Sequence, residues 1–474
     1  MKLSLFHHRE TVDGRENPFT EQMIADLALR ETLTLVHRGD GCTRVALSVL
    51  SEPCQTTEEI QSRQDCFRDF VMCPDALAVL RRSCGRVQKR LEAFRERRHD
   101  YLSHPYHSNS GVWLRCVKEA ADLALQLAGE YRILSDELAG GAFQSLVLNN
   151  MQKALREMVD NPAYAILREE LSLLAGVKSP GTTLVIRAEL TGAFRSVVYC
   201  LGKIGEKGGT HPRSRVPFPQ RADENREISI ACKAAETSLR MLYQYLWSVC
   251  TVLSSPILSL TDDLEFLDFS LRYIQLLQTK GIGFVWPVVK EEGVTEYRGL
   301  RDIHLSLYQT SAPVPNDFSE APLTVIMGAN GSGKTTFLRS IATAQLFAQA
   351  GLPVPAEAAV VGIKKRLYTH FAAGEQERGR FEEECRRLSE ITDVLTASDW
   401  LLLNEPFQST AYCEAENLLC DLLPAFAEEG IPVVLVTHIL PLKDTLEHGR
   451  MKQVGFYTSK EGFRFHRSYG NGKV

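Results

Sequence analysis

The chain of 474 residues contains no apolar run of the roughly 18–20 residues that a membrane-spanning helix needs, so no membrane partner is expected. Its first ten residues, Met1-Lys2-Leu3-Ser4-Leu5-Phe6-His7-His8-Arg9-Glu10, are too polar for a secretory leader. The 12 cysteines include no C-x-x-C pair and no His/Cys cluster at zinc spacing. A disulfide frame is thereby set aside, and free thiols in a reducing cytoplasm are expected. Charge of one sign is also missing: 54 Lys+Arg stand against 59 Asp+Glu, net −5, with a pI of about 6.2. A strongly basic duplex-binding module is not indicated, and any nucleic-acid contact must come from local patches. There is no internal repeat and no low-complexity segment. What is there, 44% hydrophobic and 24% charged residues, is an ordinary globular composition, with length enough for two to four domains.

Two stretches are locally basic. Arg81-Arg82, Arg86, Lys89-Arg90, Arg95 and Arg97-Arg98 are interleaved with Glu92 and Glu96, which reads as a solvated helix face. Lys203, Lys207, Arg213, Arg215 and Arg221 lie in a Gly/Pro-rich loop, either an ordinary turn or a basic tip on a projection.

The texture divides the chain into a loose N-terminal arm (1–20), a mainly helical region (21–285) and an α/β region (286–474). In the helical region Leu114, Val117, Ala121, Ala124, Leu125 and Ala128 form one apolar stripe. A small β-rich piece at about 183–222 interrupts it, starting with the β-branched run Thr182–Ile186. The segment Leu264–Leu277 carries a wide apolar face, fit either for a contact with another domain or partner or for an ordinary core.

The α/β region opens with the most specific motif in the chain. Residues 328–336 read Gly-Ala-Asn-Gly-Ser-Gly-Lys-Thr-Thr and match G-x-x-x-x-G-K-[ST] in full. The buried-strand run Leu323–Met327 precedes it, and helical spacing follows from Phe337. A strand, a glycine loop and a helix start aim backbone N–H groups and a positive dipole end at an anion. The expected ligand is a nucleoside triphosphate, ATP, cradled by Gly328, Asn330, Gly331, Ser332, Gly333, Lys334, Thr335 and Thr336. Lys334 is expected to reach the β/γ phosphates and the Thr335 hydroxyl to ligate Mg²⁺. Leu401-Leu402-Leu403 and Ile431–Val436 are two more buried strands, ending in Asn404-Glu405 and Thr437-His438. Ligands in open parallel sheets sit at the carboxyl ends of strands, so these ends should converge on the phosphates. Glu405 is then the group expected to polarise the attacking water, and His438 the group facing the γ-phosphate. Asn404 stands where an Asp would add charge beside Mg²⁺; weaker metal retention and slower turnover are expected.

The glycine loop together with Leu402-Leu403-Asn404-Glu405-Pro406 resembles the ABC-type ATPase class. Further stretches resemble the MutS family: Val314-Pro315-Asn316-Asp317 before the first strand, Gly351-Leu352-Pro353-Val354-Pro355-Ala356 after the loop helix, Thr437-His438, and upstream Ile60-Gln61-Ser62-Arg63-Gln64-Asp65. Ile257–Leu277 through Trp286-Pro287 is similar to the family's lever helix and its entry into the ATPase domain. The likeness covers roughly residues 20–445. It implies a mainly α core and lever domain with a clamp-like piece at about 183–222, followed by a P-loop ATPase domain with a parallel-rich sheet. It also implies Val314 beside the nucleotide, a homodimer through the ATPase domains, DNA as partner, and levers moved by the ATP state.

The chain departs from the family in several places. It begins at the helical core, so the family's mismatch-recognition and connector domains are expected to be absent. The family's trans-acting serine falls at Gly379, within Gly379-Arg380-Phe381. Its aromatic before V-P-N-D falls at Pro313, and its G-T-S-T stretch appears only as Gln408-Ser409-Thr410. Two functions remain open at this point. One is an ATPase that binds duplex, branched or mismatched DNA as a nucleotide-gated dimer. The other is a slow nucleotide switch that scaffolds a protein or ribonucleoprotein.

Overall fold

A computed structural model describes residues 3–6, 19–37, 39–102, 110–176, 182–190, 197–206, 224–371, 380–408, 410–439, 454–459 and 463–468. In chain order the helices α1 Thr20–Asp26, α2 Leu29–Val36, α3 Asp40–Ser51, α4 Thr57–Met72, α5 Pro74–Leu102, α6 Ser110–Leu138, α7 Leu146–Asp160 and α8 Pro162–Ala175 come first. The hairpin β1 Thr182–Leu190 and β2 Val197–Glu206 follows, then α9 Glu224–Leu258 and α10 Leu260–Thr279. The α/β part contains β3 Val288–Lys290, β4 Glu296–Leu300, α11 Ile303–Tyr308, β5 Asn316–Ser319, β6 Leu323–Met327, α12 Lys334–Gln349, β7 Ala358–Gly362 and β8 Leu367–Phe371. It ends with α13 Arg380–Thr392, β9 Trp400–Asn404, α14 Tyr412–Glu428, β10 Val433–Val436, β11 Val454–Ser459 and β12 Phe465–Ser468. A helical N-terminal part followed by an α/β part with a parallel sheet is therefore the architecture. No helix among the described residues is long and apolar enough to cross a membrane.

Packing divides the chain into two compact units, Met1–Ser4 with Cys73–Thr261, and Leu5–Met72 with Asp262–Val474. This division differs from that of sequence texture, because α1–α4 fold with the α/β elements. The first unit is built on α6. Its small-residue stripe, including Ala120, Ala121, Ala124 and Ala128, is fully buried and lets α9 and α8 approach closely. Tyr131 and Tyr164 carry their hydroxyls into this core and donate to the Leu253 and Ala128 carbonyls at 2.7 and 2.6 Å, as a buried phenol must. Asn161 caps α8 by accepting from the Ala163 N–H, with Pro162 in the first turn.

The arginine run on α5 is not a free basic face. Arg86 and Arg90 both pair with Glu130, whose side chain is fully buried, and Arg82 reaches Glu137 at 3.5 Å. Arg98 lies over the rings of Tyr243 and Trp247. Burial favours the neutral Glu130 carboxyl, but the Arg86 and Arg90 guanidiniums outweigh it and hold the group below the usual range. The second basic stretch lies mostly at 207–223, outside the described residues.

In the second unit, six strands form one sheet in the order β12-β11-β6-β10-β9-β8, with β11 through β8 parallel and β12 antiparallel at the edge. The central strands β6 and β10 are buried along their whole length, which is why they read as unbroken apolar runs. A smaller mixed sheet, β3-β7-β4-β5, adjoins it in sequence. The lever-like stretch is two helices, since α9 ends at Leu258 and α10 begins at Leu260. The apolar face of α10 is core: Phe266, Leu267, Phe269, Tyr273 and Leu277 are fully buried, and Phe266 packs with Phe67 of α4 and with Phe6. Phe6 and Leu5 belong to the stretch read as a loose arm, yet both are buried, and the Leu5 N–H donates to Asp263 at 2.7 Å. Residues 7–18 lie outside the described residues.

Two of the motifs that resemble the MutS family meet within this unit. Gly351 ends α12 with φ +84°, and a Cβ there would stand 2.6 Å from the Arg63 Cβ of α4. Arg63 lies over the rings of Phe6 and Phe266, and Gln64 donates to the Pro287 carbonyl at 3.0 Å.

Candidate functional site

The register of three strands sets the site. Ile326 of β6 is paired with Val436 of β10, and Val436 with Asn404 of β9. The strands therefore end at one level, and the segments after them lie side by side. Backbone bonds continue past the ends: the Glu405 N–H donates to Val436 at 2.8 Å, and the Thr437 N–H to Ile326 at 3.2 Å.

The glycine loop takes the conformations its sequence requires. Gly331 and Gly333 have φ of +75° and +87°, the left-handed region that only glycine enters at little cost. Ala329, Asn330 and Gly331 are exposed, and Gly328, Ser332 and Gly333 are half-buried. Lys334 opens α12 and is buried. Its ammonium donates to the carbonyls of Gly328 and Ala329 at 3.1 and 3.2 Å and stands 3.6 Å from Glu405 Oε1. Next to it, the Thr335 hydroxyl donates to Asn404 Oδ1 at 3.0 Å. Thr336 is half-buried in the same turn.

Glu405 gathers the polar groups. Its carboxylate lies 3.2 Å from His438 Nδ1 and also accepts from Gln408 Nε2. His438 is exposed and its ring stands 6.1 Å from that of Tyr412. Glu405 and Phe407 have φ of +50° and +63°, strained for side-chain-bearing residues at roughly 1–3 kcal/mol each. The surroundings hold both: Glu405 by its backbone and carboxylate bonds, Phe407 by burial in the core that includes Leu388, Leu403 and Leu419.

The segment Val314–Asp317 is a structural brace. Asn316 Nδ2 donates to the carbonyls of Val314 and Phe463, and its Oδ1 accepts from the Phe465 N–H at 2.8 Å. Asp317 accepts from the Gly299 N–H at 2.7 Å. Val314 itself is half-buried and meets this brace through its carbonyl. The brace fixes Phe463, an exposed residue with φ +66°, whose ring edge lies 3.2 Å from where a Cβ on Gly333 would be.

The structure thus brings Lys334, Thr335, Asn404, Glu405 and His438 into one connected group. Gln408 and Phe463 join it without having been singled out in the sequence. Gln408 stood inside a motif fragment, whereas nothing local marks Phe463, which arrives from a hairpin far along the chain. Gly379 and Ser409 lie outside the described residues, and Arg380 is described only as the first residue of α13.

Residues 324–462 match the model of MutS domain V. These residues form a domain of the MutS family. The chain is 25% identical over 240 residues to the DNA mismatch repair protein MutS of Thermodesulfovibrio yellowstonii, covering 47% of this chain and 28% of that protein. Against the protein of the same name from Thermotoga sp. it is 27% identical over 237 residues, 48% of this chain and 29% of the relative. A shorter match, 38% over 114 residues, covers 23% of this chain and 12% of the MutS of Haloquadratum walsbyi. The chain therefore spans less than a third of the length of each of these relatives. The family match begins at Thr324 and takes in the glycine loop, Asn404-Glu405 and Thr437-His438, the same residues that the strand register groups.

Proposed function

We propose that this chain binds and hydrolyses ATP at the β6, β9 and β10 strand ends and uses the nucleotide state to control binding of DNA as a homodimer formed through its ATPase domains. The observation that carries the reading is the connected group Thr335–Asn404 and Lys334–Glu405–His438 on in-register strand ends. Two relatives named as DNA mismatch repair proteins favour DNA as the partner.

In this reading the exposed N–H groups of the loop and the α12 N-terminus hold phosphate oxygens. Lys334 exchanges its bonds to the Gly328 and Ala329 carbonyls for the phosphates, and its withdrawal from Glu405 frees that carboxylate. Glu405 then orients a water and takes its proton, with His438 and Gln408 fixing the carboxylate's direction. Thr335 Oγ1 and Asn404 Oδ1 are oxygen donors of the type Mg²⁺ takes, but neither is charged, so they would hold the ion loosely. Bound there, Mg²⁺ supplies charge neutralisation on the phosphates. Phe463, exposed beside Gly333 of the loop, is an aromatic ring available to the base of the nucleotide.

The neutralised arginines of α5 favour keeping the slow-switch reading in the test. The experiment is steady-state ATP hydrolysis with and without duplex and branched DNA, beside a Glu405→Gln control, with DNA affinity followed against salt. Turnover raised by DNA and lost in the variant, with affinity falling steeply in salt, supports the proposal. Nucleotide binding without turnover, with no DNA affinity at any salt, overturns it in favour of the switch.

A further inference from the structure

A second set of chemically active side chains lies within the same compact unit, on α2, α3 and α10, and the MutS-like motifs do not include it. His37 is the C-cap residue of α2, Cys42 sits in the first turn of α3, and Asp268 is in the middle of α10. One ligand atom from each lies within 4.8 Å of the other two. His37 Nε2 stands 3.6 Å from Asp268 Oδ2, and Cys42 Sγ stands 3.9 Å from the same oxygen.

The loop between them is shaped to allow this. A Cβ at Gly39 would meet the His37 ring at 2.7 and 2.9 Å, so a side chain there would push the imidazole out of its present place against the chain. A Cβ at Gly41 would stand 3.1 and 3.2 Å from the two carboxylate oxygens of Glu265, one turn before Asp268 on α10. Glu265 Oε2 is buried and has no hydrogen-bond partner among the described residues. Two glycines in three residues thus bring His37 and Cys42 from one side towards Asp268 and Glu265 from the other.

We infer that His37, Cys42, Asp268 and Glu265 form a structural Zn²⁺ site that ties the α2–α3 junction to α10. The donor set decides the ion. Thiolate and imidazole suit a borderline-soft metal, whereas Mg²⁺ and Ca²⁺ take oxygen alone. The spacing of His37, Cys42 and Asp268 agrees: zinc bonds of about 2.0–2.3 Å in a tetrahedron put ligand atoms about 3.3–3.8 Å apart, which small rotations of these three side chains reach. The three clustered donors leave a fourth position, and Glu265, one turn away on α10 with an unpartnered oxygen, fills it by turning its carboxylate towards the ion. Loading changes the histidine. Nδ1 now accepts from the Gly39 N–H at 2.8 Å, so the ring proton is on Nε2. Metal at Nε2 moves that proton to Nδ1 and breaks the Gly39 bond, so Gly39 moves away from the ring on binding. The Cys42 thiol loses its proton to solvent, which makes affinity rise with pH.

The sequence reading of no His/Cys cluster at zinc spacing rests on ligands close together in the chain. It misses this group because half of the ligands arrive from a helix more than 200 residues away.

The test uses the full chain stripped of metal with a chelator. Zn²⁺ is titrated against a chromophoric competitor, and Co²⁺ is titrated for a thiolate-to-cobalt charge-transfer band. The expected result is one tight equivalent, the charge-transfer band, and a rise in Tm on loading. Cys42→Ser should remove the band, and Asp268→Asn should weaken Zn²⁺ binding by more than about 100-fold, beyond the loss of a supporting group alone. Cys413→Ser, which removes an exposed thiol elsewhere, should change nothing. No zinc uptake by the folded wild-type chain, or a cobalt band that survives Cys42→Ser, overturns the inference. The wild-type measurement needs no variant, so a variant that misfolds does not shelter the claim.

Discussion

The Thr335 hydroxyl donates to the amide oxygen of Asn404 at 3.0 Å, joining the first turn of α12 to the end of β9. Both oxygens are neutral. A carboxylate in the place of Asn404 would accept the same bond and bring a negative charge beside the proposed Mg²⁺ position. Asn404→Asp is expected to lower the Mg²⁺ concentration at half-maximal ATP hydrolysis and to raise turnover, with nucleotide affinity changed little. Activity measured across a Mg²⁺ series checks this. An unchanged metal dependence would separate Asn404 from the metal.

Lys334 and Glu405 make opposite predictions although they face each other at 3.6 Å. Glu405→Gln keeps the shape and removes the proposed base, so hydrolysis should fall by roughly 100-fold or more while ATP binding persists. Lys334→Met removes the cation proposed to meet the phosphates, and binding itself should be lost. Equilibrium binding of a fluorescent ATP analogue to each variant tells the two apart. The assignment of roles fails if the glutamine variant loses binding or the methionine variant keeps it.

These residues were legible in the sequence because each lies within a few positions of a buried apolar strand, where local pattern fixes geometry. The same reasoning gave the helical-then-α/β order. It did not give the packing of α1–α4 with the sheet, nor the use of Phe6 in a core with Phe67 and Phe266, because those contacts join distant segments. The arginines of α5 show the limit most clearly. Their i,i+4 glutamates suggested a solvated face, while their main partner is Glu130 on α6, 40 and 44 positions away. The apolar face of α10 was ambiguous for the same reason: pattern shows that a face is buried, not what buries it.

Gly351 tests the contact between the two motif-bearing segments. Its φ of +84° and the 2.6 Å approach to Arg63 both oppose a side chain. Gly351→Ala should cost about 1–3 kcal/mol for the backbone and about 1–3 kcal/mol more for the clash. Gly281 has a φ of +66° but nothing within 4 Å of a Cβ, so Gly281→Ala should bear the backbone cost alone. The difference between the two in urea denaturation isolates the packing of Arg63 against the end of α12. Equal losses would mean that α4 gives way without cost.

His370 on β8 gives the second unit a pH dependence. It is buried, and neither ring nitrogen has a hydrogen-bond partner among the described residues. Burial, helped by the nearby Arg387 charge, lowers its pKa to about 4 from 6.5. The unfolded chain therefore binds a proton between these values that the folded chain refuses, and stability is lost as pH falls from 6.5 towards 4. At pH 5 the loss should be about 2 kcal/mol, and at the acid end of the window about 3 kcal/mol. His370→Leu removes the titrating group and the unpaired nitrogens together. It should match or exceed the wild type at pH 7.5 and lead it by a further 2 kcal/mol or so at pH 5. Urea midpoints of the two proteins at both pH values decide the matter. Parallel shifts would show that the ring is charged in the folded chain and has found an acceptor, so that the acid sensitivity belongs to other groups.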